Sequence, residues 1–435
     1  MNSSLLVLLG RRLDQDRPAA AAPLGWRCFQ LGLVFLASSA LIGALLLLVA
    51  LVLGSRDRER PWWADRCNRL LALVGALMLL GALQVSLPAL ALQGYHPVHA
   101  WLGLFNWLPF FWGFWGFQPY LADAAARRRV ALCLVAGTVP VLITGLGQLW
   151  LGWSGPWQIL GGGVVWWLTP GGNPPGRLSG LFDYANITAA WLSLSWPLTL
   201  AALLEAGRRW RSGPRWPALV VLGLAVAQVA ALYLTDSRNG WGALLLAVPI
   251  VLGPGSWPWL LPLLLLALLP VLIATLPGLP AWLQEPIRQL VPQSIWGRLN
   301  DVNSQGHRPL AITRLSQWST AVALIAERPW FGWGAAAFSV IYPLRTGFWH
   351  GHAHNIALDL AISHGLPAAL ALVGFVLWLL VRAFRHGMAH GPVFERAWWA
   401  AALVLAALHA TDIPMYDSRI NIAGWVLLAG LRCYR

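Results

Sequence analysis

The sequence predicts an all-α polytopic membrane protein with about 12 transmembrane helices, and three observations lead to this fold class. Hydrophobic residues make up 58% of the chain, charged residues only 11%, and the mean hydropathy is +0.62. Apolar runs of about 20 residues recur, each long enough to cross a bilayer. Every basic residue is an arginine, and most lie in short segments between these runs. The net charge of +14 therefore indicates membrane orientation, and we expect no nucleic-acid partner.

Each apolar run is assigned one spanning helix. Glycine and proline inside a run do not argue against a span, because membrane helices tolerate both. The long predicted spans are 70–92, 100–121, 130–152, 186–205, 216–234, 257–276 and 356–381, and the shorter ones are 240–253, 397–411 and 420–431.

The run from 29 to 54 has arginines at both ends. A single span would place one of these basic clusters on the wrong side of the membrane. A hairpin that turns near residues 37–40 returns both clusters to the cytoplasm, although each arm is then short. With this hairpin the spans total about 12, and both termini are cytoplasmic.

The predicted spans divide one integral membrane domain into three parts. Residues 1–276 form the N-terminal helices, 277–355 a large periplasmic loop, and 356–435 the C-terminal helices. The loop is too rich in apolar residues to be simply disordered. Within it, residues 309–327 place apolar side chains at helical spacing, which predicts an amphipathic helix on the outer surface.

Residues 349–367 carry four histidines and an aspartate. Histidine accepts a proton from a hydroxyl near neutral pH, and an acid in an apolar segment is itself a sign of function. One interpretation is a zinc site built from His350, His352, His354 and Asp359. The chain has no second ligand cluster and no HExxH spacing, so we favour one functional imidazole, His354, and predict no metal.

Two arginines on the predicted outer side are candidates for function, since an outer arginine runs against the positive-inside bias. Arg238 lies in the short turn 235–240, and Arg314 lies on the predicted amphipathic helix. Either guanidinium could hold a phosphate with two parallel hydrogen bonds. The structural alternatives are a polar cap between two helices for the turn and a solvated helix face for Arg314.

Other polar residues cluster on the same predicted side. Arg177 and Asn186 flank the start of a span, where Asn186 either caps the helix or shapes the floor of a polar cavity. Asp412 and Asp417 lie between the last two spans, where they orient an arginine, bind sugar hydroxyls or are simply solvated.

Taken together, these segments resemble the O-antigen ligase and polymerase family of bacterial membrane proteins. The resemblance covers about residues 170–430 and is strongest from Arg314 to Pro367. The matching pieces, in order, are Arg177-Leu178-Ser179-Gly180 with Asn186, Asp236-Ser237-Arg238-Asn239-Gly240-Trp241, the segment 314–334, His352-Ala353-His354-Asn355, and Asp412-Ile413-Pro414-Met415-Tyr416-Asp417.

The resemblance implies a metal-independent glycosyltransferase of the multi-spanning, GT-C-like type, without a cofactor. Its donor would be a glycan on undecaprenyl pyrophosphate, and its acceptor a hydroxyl of lipid A-core or of another glycan. The site would face the periplasm from the bacterial inner membrane, in contact with membrane lipid. By the matched motifs, Arg238 and Arg314 hold the pyrophosphate and His354 is the catalytic base. We expect substrate contacts from Arg177, Asn186, His352, Asn355, Asp412 and Asp417.

Three alternatives to a ligase stay open. His354-Asn355 and Gly365 fit the ligase pattern, but Ala368 stands where ligases usually have Gly, Thr or Tyr, so a polymerase of the same family is a second hypothesis. An inorganic-carbon transporter predicts charged residues near the bilayer centre, whereas here they gather at one face. A non-catalytic assembly partner would have no evident use for the two arginines and the histidine.

Overall fold

The computed structural model describes residues 13–56, 61–90, 92–276, 278–299 and 313–434, and this part of the chain is almost entirely helical. The exception is a short antiparallel hairpin of β1 (Trp157–Ile159) and β2 (Val164–Trp166), in which Trp157 pairs with Trp166. Together with its apolar helices, this architecture makes the chain an all-helical, polytopic membrane protein, as predicted.

The α-helices follow one another with short connections. In chain order they are α1 Pro23–Leu36, α2 Ala40–Arg56, α3 Arg66–Val85, α4 Val98–Gly103, α5 Leu108–Gly116, α6 Ala124–Trp150, α7 Ala185–Arg208, α8 Trp216–Leu234, α9 Arg238–Leu252, α10 Trp257–Thr275, α11 Ala281–Leu290, α12 Gln293–Leu299, α13 Arg314–Glu327, α14 Ala337–Thr346, α15 Ile356–His364, α16 Leu366–Arg385, α17 Val393–Leu408 and α18 Ser418–Cys433.

Helices α1 and α2 form the hairpin expected for residues 29–54. The chain reverses over residues 37–39, and the two helices then pack closely along each other. A Cβ on Gly43 would lie 2.7 Å from the Leu36 Cα and 3.0 Å from the Gly32 carbonyl oxygen. Glycine at this position therefore permits the close approach of the two backbones.

The span predicted over residues 100–121 was wrong as a continuous helix. The structure divides this run into α4, a 3₁₀ turn, α5 and a second 3₁₀ turn. Pro109 and Pro119 lie in the first turn of α5 and of the second 3₁₀ turn, where a helix tolerates a residue without an N–H, so each marks a new start.

Six helices in the described residues are long and apolar enough to cross a membrane. They are α3, α6, α7, α8, the segment Pro254–Thr275 that contains α10, and α16. Of the shorter apolar helices, α9 packs against α7 and α17, whereas α2 packs mainly against α1.

The run predicted as a span over 356–381 is two helices separated by Gly365. Gly365 has φ +85° and ψ 161°, a backbone conformation that is essentially restricted to glycine. The turn 329–334 closes on this break: the Trp333 and Gly334 N–H groups donate to the carbonyls of Ile362 and Ser363. These carbonyls at the end of α15 have no partner within the helix, so the turn satisfies them.

Several of the basic segments that lie between apolar runs meet at one end of the helix bundle. There Arg127 forms a buried ion pair with Glu395, and Arg128 pairs with Glu205. We call this the arginine-rich end. This end contains the basic residues 127–129 and 432, which the positive-inside rule assigns to the cytoplasm.

The polar motif segments meet at the other end. Helices α9 and α17 are antiparallel, because Arg396 at the start of α17 donates to the Val251 carbonyl at the end of α9. The first residue of α9, Arg238, therefore lies at the same end as Leu408, the last residue of α17. We call this the motif end.

Candidate functional site

The site is centred on His354 and Asp412 at the motif end. His354 lies just before α15, and Asp412 follows α17. The Nδ1 atom of His354 is 3.0 Å from the Oδ1 atom of Asp412. The backbone holds the two segments together, because the Ile356 N–H donates to the His409 carbonyl at 2.9 Å. Asn355 adds a side-chain bond to the Ala410 carbonyl, also at 2.9 Å.

Asn355 also starts helix α15. Its side-chain oxygen accepts from the N–H groups of Ala357 and Leu358, which otherwise have no partner within the helix. One amide side chain thus caps the helix and joins it to the segment after α17. The sequence predicts Asn355 as a substrate contact; in the structure its amide makes three structural hydrogen bonds.

The hydrogen bonds assign the proton positions of the two neighbouring imidazoles. An ionised carboxylate only accepts, so His354 Nδ1 carries a proton and donates to Asp412. His354 Nε2 is then the basic nitrogen. The His354 backbone, at φ 50°, turns its N–H toward His352 Nδ1 at 3.2 Å, so that nitrogen is an acceptor.

Electrostatics favour this assignment. Burial raises the pKa of Asp412, but contributions that include the hydrogen bonds from His354 and from the Ile413 N–H outweigh burial and lower the pKa overall. Burial is the main cause that lowers the pKa of His352 to about 4, with smaller contributions from the charges of His354 and Arg314. At neutral pH the site therefore holds an ionised Asp412 and a neutral His352.

Arg314 lies close enough to the imidazoles of His352 and His354 for its charge to contribute to the low pKa of His352. It is the first residue of α13, which Thr313 caps. Residues 349–355, which carry three histidines, form what we call the histidine loop. The helix packs on this loop through Trp318, whose indole N–H donates to the Ala353 carbonyl at 2.9 Å. The structure therefore brings Arg314, His354 and Asp412 into one neighbourhood.

Arg177 and Asn186 form a second group at the same end. The Arg177 guanidinium donates to Asn186 Oδ1 at 2.7 Å and to the Thr235 carbonyl at 2.8 Å. This pairing ties the loop before α7 to the turn that leads into Arg238. Three residues named from the sequence, Arg177, Asn186 and Arg238, are thus grouped around one turn.

Asp417 has a different surrounding. Its carboxylate caps α18 through the Arg419 N–H and forms an ion pair with the Arg419 side chain. Arg419 in turn donates to the Leu181 carbonyl at 2.8 Å and lies over the Phe182 ring. The described contacts of Asp417 are therefore structural, and its role in binding substrate stays a prediction.

The family comparison covers the middle of this site. Residues 223–373 match the family model described as O-antigen ligase. This segment belongs to the O-antigen ligase family. The match includes Arg238, Arg314 and His354, and it confirms the resemblance on which their roles were predicted. No curated protein matches the chain.

The match to the O-antigen ligase family indicates the general type of function. Such a family indicates an O-antigen ligase or polymerase type of activity, with a lipid-linked glycan as donor and a glycan as acceptor. With the apolar helices, it makes the chain a multi-pass membrane protein of lipopolysaccharide biosynthesis. Arg177 and Asp412 lie outside the matched residues, although the fold brings Asp412 to His354.

Three residues of the candidate site could together hold a metal ion. One potential ligand atom from each of His352, His354 and Asp412 lies within 4.8 Å of the others. Asp359, the acid that the sequence placed in a zinc set, does not join this group. Its carboxylate accepts a hydrogen bond from the Tyr416 hydroxyl instead.

An apolar cavity of about 160 Å³ lies directly beneath the site. Side chains of α15 to α18 line it, and Ile356 and His409, which flank the His354 and Asp412 segments, are among them. Asn421 is its other polar lining residue apart from His409. The cavity thus extends from the residues that flank the polar site into the apolar part of the bundle.

Two residues of the candidate site, Tyr416 and Arg419, have no feature in the sequence that marks them individually. Tyr416 was read only as part of a motif, and Arg419 was not singled out. Both act through contacts across the bundle, to Asp359 and to Leu181 respectively. Neither contact has a sequence spacing that could reveal it.

Proposed function

We propose that the protein is an O-antigen ligase-like glycosyltransferase. It moves a glycan from undecaprenyl pyrophosphate to an acceptor hydroxyl, such as one of lipid A-core, at the periplasmic face of the inner membrane. The observation that carries this proposal is the His354–Asp412 pair, with Nδ1 and Oδ1 3.0 Å apart and Arg314 beside the imidazoles.

In the proposed reaction His354 is the general base. Its Nε2 accepts the proton of the acceptor hydroxyl as the hydroxyl oxygen bonds to the anomeric carbon. The bond from that carbon to the pyrophosphate oxygen breaks at the same time, so the configuration inverts. Asp412 keeps His354 in the required tautomer and stabilises the imidazolium that forms.

The leaving pyrophosphate develops negative charge, which we assign to arginines. Arg314 and Arg238 each begin a helix at the motif end, where a guanidinium and the helix N-terminus both favour an anion. In this proposal the reaction needs no metal. Arg177, Asn186, Asn355 and Asp417 complete the predicted substrate contacts.

The apolar cavity supports a lipid-linked donor. A pyrophosphate bound beside His354 would place its isoprenoid tail at the level of the cavity beneath Ile356 and His409. Burial of a hydrocarbon chain there needs no polar partner, and the lining is almost wholly aliphatic and aromatic.

Transfer by purified protein in proteoliposomes tests the proposal. With a lipid-linked glycan and lipid A-core, His354→Ala, Arg314→Ala and Asp412→Asn should each lower transfer by about 10²-fold or more, the range of general-base and charge stabilisation. His390→Ala, at the arginine-rich end, is the matched control and should transfer normally. Full activity of His354→Ala would refute the base assignment.

A chelator distinguishes the metal-independent mechanism. EDTA should leave transfer unchanged, whereas loss of transfer that Mg²⁺ or Zn²⁺ restores would contradict the role assigned to the arginines. Uptake of labelled bicarbonate by the same proteoliposomes, without glycan transfer, would instead favour a transporter.

A polymerase is the second candidate, because the family match covers both activities. The same base would then act on a hydroxyl of a growing glycan in place of lipid A-core. Deletion of the gene followed by gel analysis of lipopolysaccharide separates the two. Loss of every long chain from lipid A-core indicates a ligase, and retention of a single capped repeat indicates a polymerase.

A further inference from the structure

A buried acid lies behind the imidazole cluster and has no part in the chemistry proposed above. Asp359, in the first turn of α15, is only 5% exposed. Its carboxylate accepts a hydrogen bond from the Tyr416 hydroxyl, and the Ala353 backbone N–H lies against it. Among the ion pairs of the described residues, none involves Asp359.

An acid that is buried without a cationic partner is costly, so a residue that only filled space here would be apolar. The two groups that Asp359 holds show what it does. Ala353 lies between His352 and His354, and Tyr416 lies in the segment after α17 that also carries Asp412. Asp359 therefore accepts a hydrogen bond from one segment and lies against the other, and the alignment of these two segments places His354 against Asp412.

The contacts around these two groups extend the network. The Tyr416 ring packs against the His352 ring at 6.0 Å between centroids, and His352 packs against His354 at 4.3 Å. On the other side, the Ala353 carbonyl accepts from Trp318 of α13, the helix that begins with Arg314. One carboxylate thus connects the segments that carry the base, its acid partner and an arginine.

We propose that Asp359, together with Tyr416, is a positioning residue of the transferase site. The pair sets the register between the histidine loop and the segment after α17, so that the His354 imidazole is already aligned with Asp412 when the acceptor hydroxyl arrives. Asp359 touches neither donor nor acceptor. This inference rests on the proposed function for its kinetic consequences, but its geometric content is independent of it.

The kinetic test compares Asp359→Asn and Tyr416→Phe with two matched controls. Tyr95→Phe removes another tyrosine hydroxyl at the same end, one that donates to the Ala335 carbonyl, and Glu395→Gln removes a buried acid at the arginine-rich end. Asp359→Asn and Tyr416→Phe should lower kcat by roughly 10- to 100-fold and leave the KM for the lipid-linked donor within about twofold, as misalignment of a base predicts.

The double variant should be no slower than the slower single variant, because both changes break one unit. The control variants should keep the wild-type kcat. A rise in donor KM with unchanged kcat would make Asp359 a binding group and overturn the proposal. So would normal kinetics of Asp359→Asn in protein with a wild-type thermal midpoint.

A structural measurement keeps the proposal testable if the chain transfers no glycan. NMR of protein labelled only at histidine, in lipid nanodiscs, reads the imidazoles directly. Asp359→Asn and Tyr416→Phe should both shift the resonances of His352 and His354 and leave those of His96, His99 and His390 in place. Unchanged His352 and His354 resonances would refute positioning, whereas shifted resonances without glycan transfer would refute the proposed function alone.

Discussion

At the scale of residues, the position of His354 results from several weak constraints acting together. Its left-handed backbone turns the N–H toward His352, its ring donates to Asp412, and the next residue, Asn355, bonds across to Ala410. Each contact is an ordinary hydrogen bond of about 1 kcal/mol, but their geometry admits one imidazole orientation. A base that is oriented before substrate binds loses little entropy in the reaction.

The low pKa of His352 predicts an acid-sensitive stability. Its pKa falls from 6.5 to about 4 on folding, mainly through burial, so between these values the unfolded chain binds a proton that the folded protein does not. The free energy of unfolding should therefore fall as the pH drops from 6.5 toward 4 and be unaffected by this group above 6.5.

Differential scanning fluorimetry in detergent measures this effect. Between pH 7.5 and pH 5, the thermal midpoint of His352→Gln should fall less than that of the wild type, by about 2 °C. The matched control is His99→Gln, on the exposed face of α4, which should lose as much as the wild type. Equal losses in all three proteins would contradict the burial assigned to His352.

At the scale of elements, the break between α15 and α16 decides where the site lies. Continuous helix through Gly365 would leave no room for the turn 329–334, whose N–H groups cap α15. The Leu366 N–H in turn donates to the Pro329 carbonyl of the same turn, at 2.7 Å. The segment between α13 and α14 is therefore anchored to the start of α16, which holds α13 and Arg314 against the histidine loop.

Substitution of Gly365 tests this anchoring. In Gly365→Ala the new Cβ would lie 2.0 Å from the Trp330 carbonyl oxygen and the backbone would be strained, which together should cost about 2 kcal/mol or more. Gly374→Ala in α16, with nothing within 4 Å of its Cβ, should be neutral or slightly stabilising. Thermal midpoints of the purified variants measure the difference; equal midpoints would show that the break tolerates a side chain.

The cavity formed by α15 to α18 gives a prediction about donor length. Ala406→Phe fills the cavity, whereas Ala407→Phe, one residue further on, points away from its lining. Ala406→Phe should raise the KM for a donor with a full-length isoprenoid tail about tenfold and leave the KM for a short-tailed analogue unchanged. A KM that rises equally for both donors, or equally in both variants, would place the tail elsewhere.

At the scale of the whole molecule, charge separates the two ends of the bundle. The arginine-rich end holds its arginines in ion pairs such as Arg127–Glu395, while the motif end holds arginines at helix starts beside imidazoles and carboxylates. The positive-inside rule assigns the first end to the cytoplasm. The second end would then face the periplasm, where lipid-linked glycans are transferred.

Thiol labelling in intact cells measures this orientation. In a Cys433→Ser background, Gly351→Cys at the motif end should react with a membrane-impermeant maleimide, since the three other native cysteines are buried. Gly213→Cys, exposed between α7 and α8, should react only after the cells are permeabilised. The reverse pattern would place the site in the cytoplasm and contradict the proposed periplasmic transfer.

The sequence by itself determined the class of the protein and most of its helices, and it predicted the main candidate site residues. Composition and apolar runs depend only on the chain, because burying some 20 apolar residues in a bilayer requires no particular neighbour. The flanking arginines were enough to predict the α1–α2 hairpin. His354, Arg314 and Arg238 were visible because charged groups beside apolar helices need a reason to be there.

Only the tertiary structure decided how these residues meet. His354 and Asp412 are 58 positions apart, and Asp359 and Tyr416 are 57 apart, so no periodicity relates them. The breaks at residues 100–121 and at Gly365 also escaped prediction, because a helix continues or stops according to what packs on it. Hydrogen bonds between distant segments depend on the packing of the whole bundle, and no local stretch of the sequence predicts that packing.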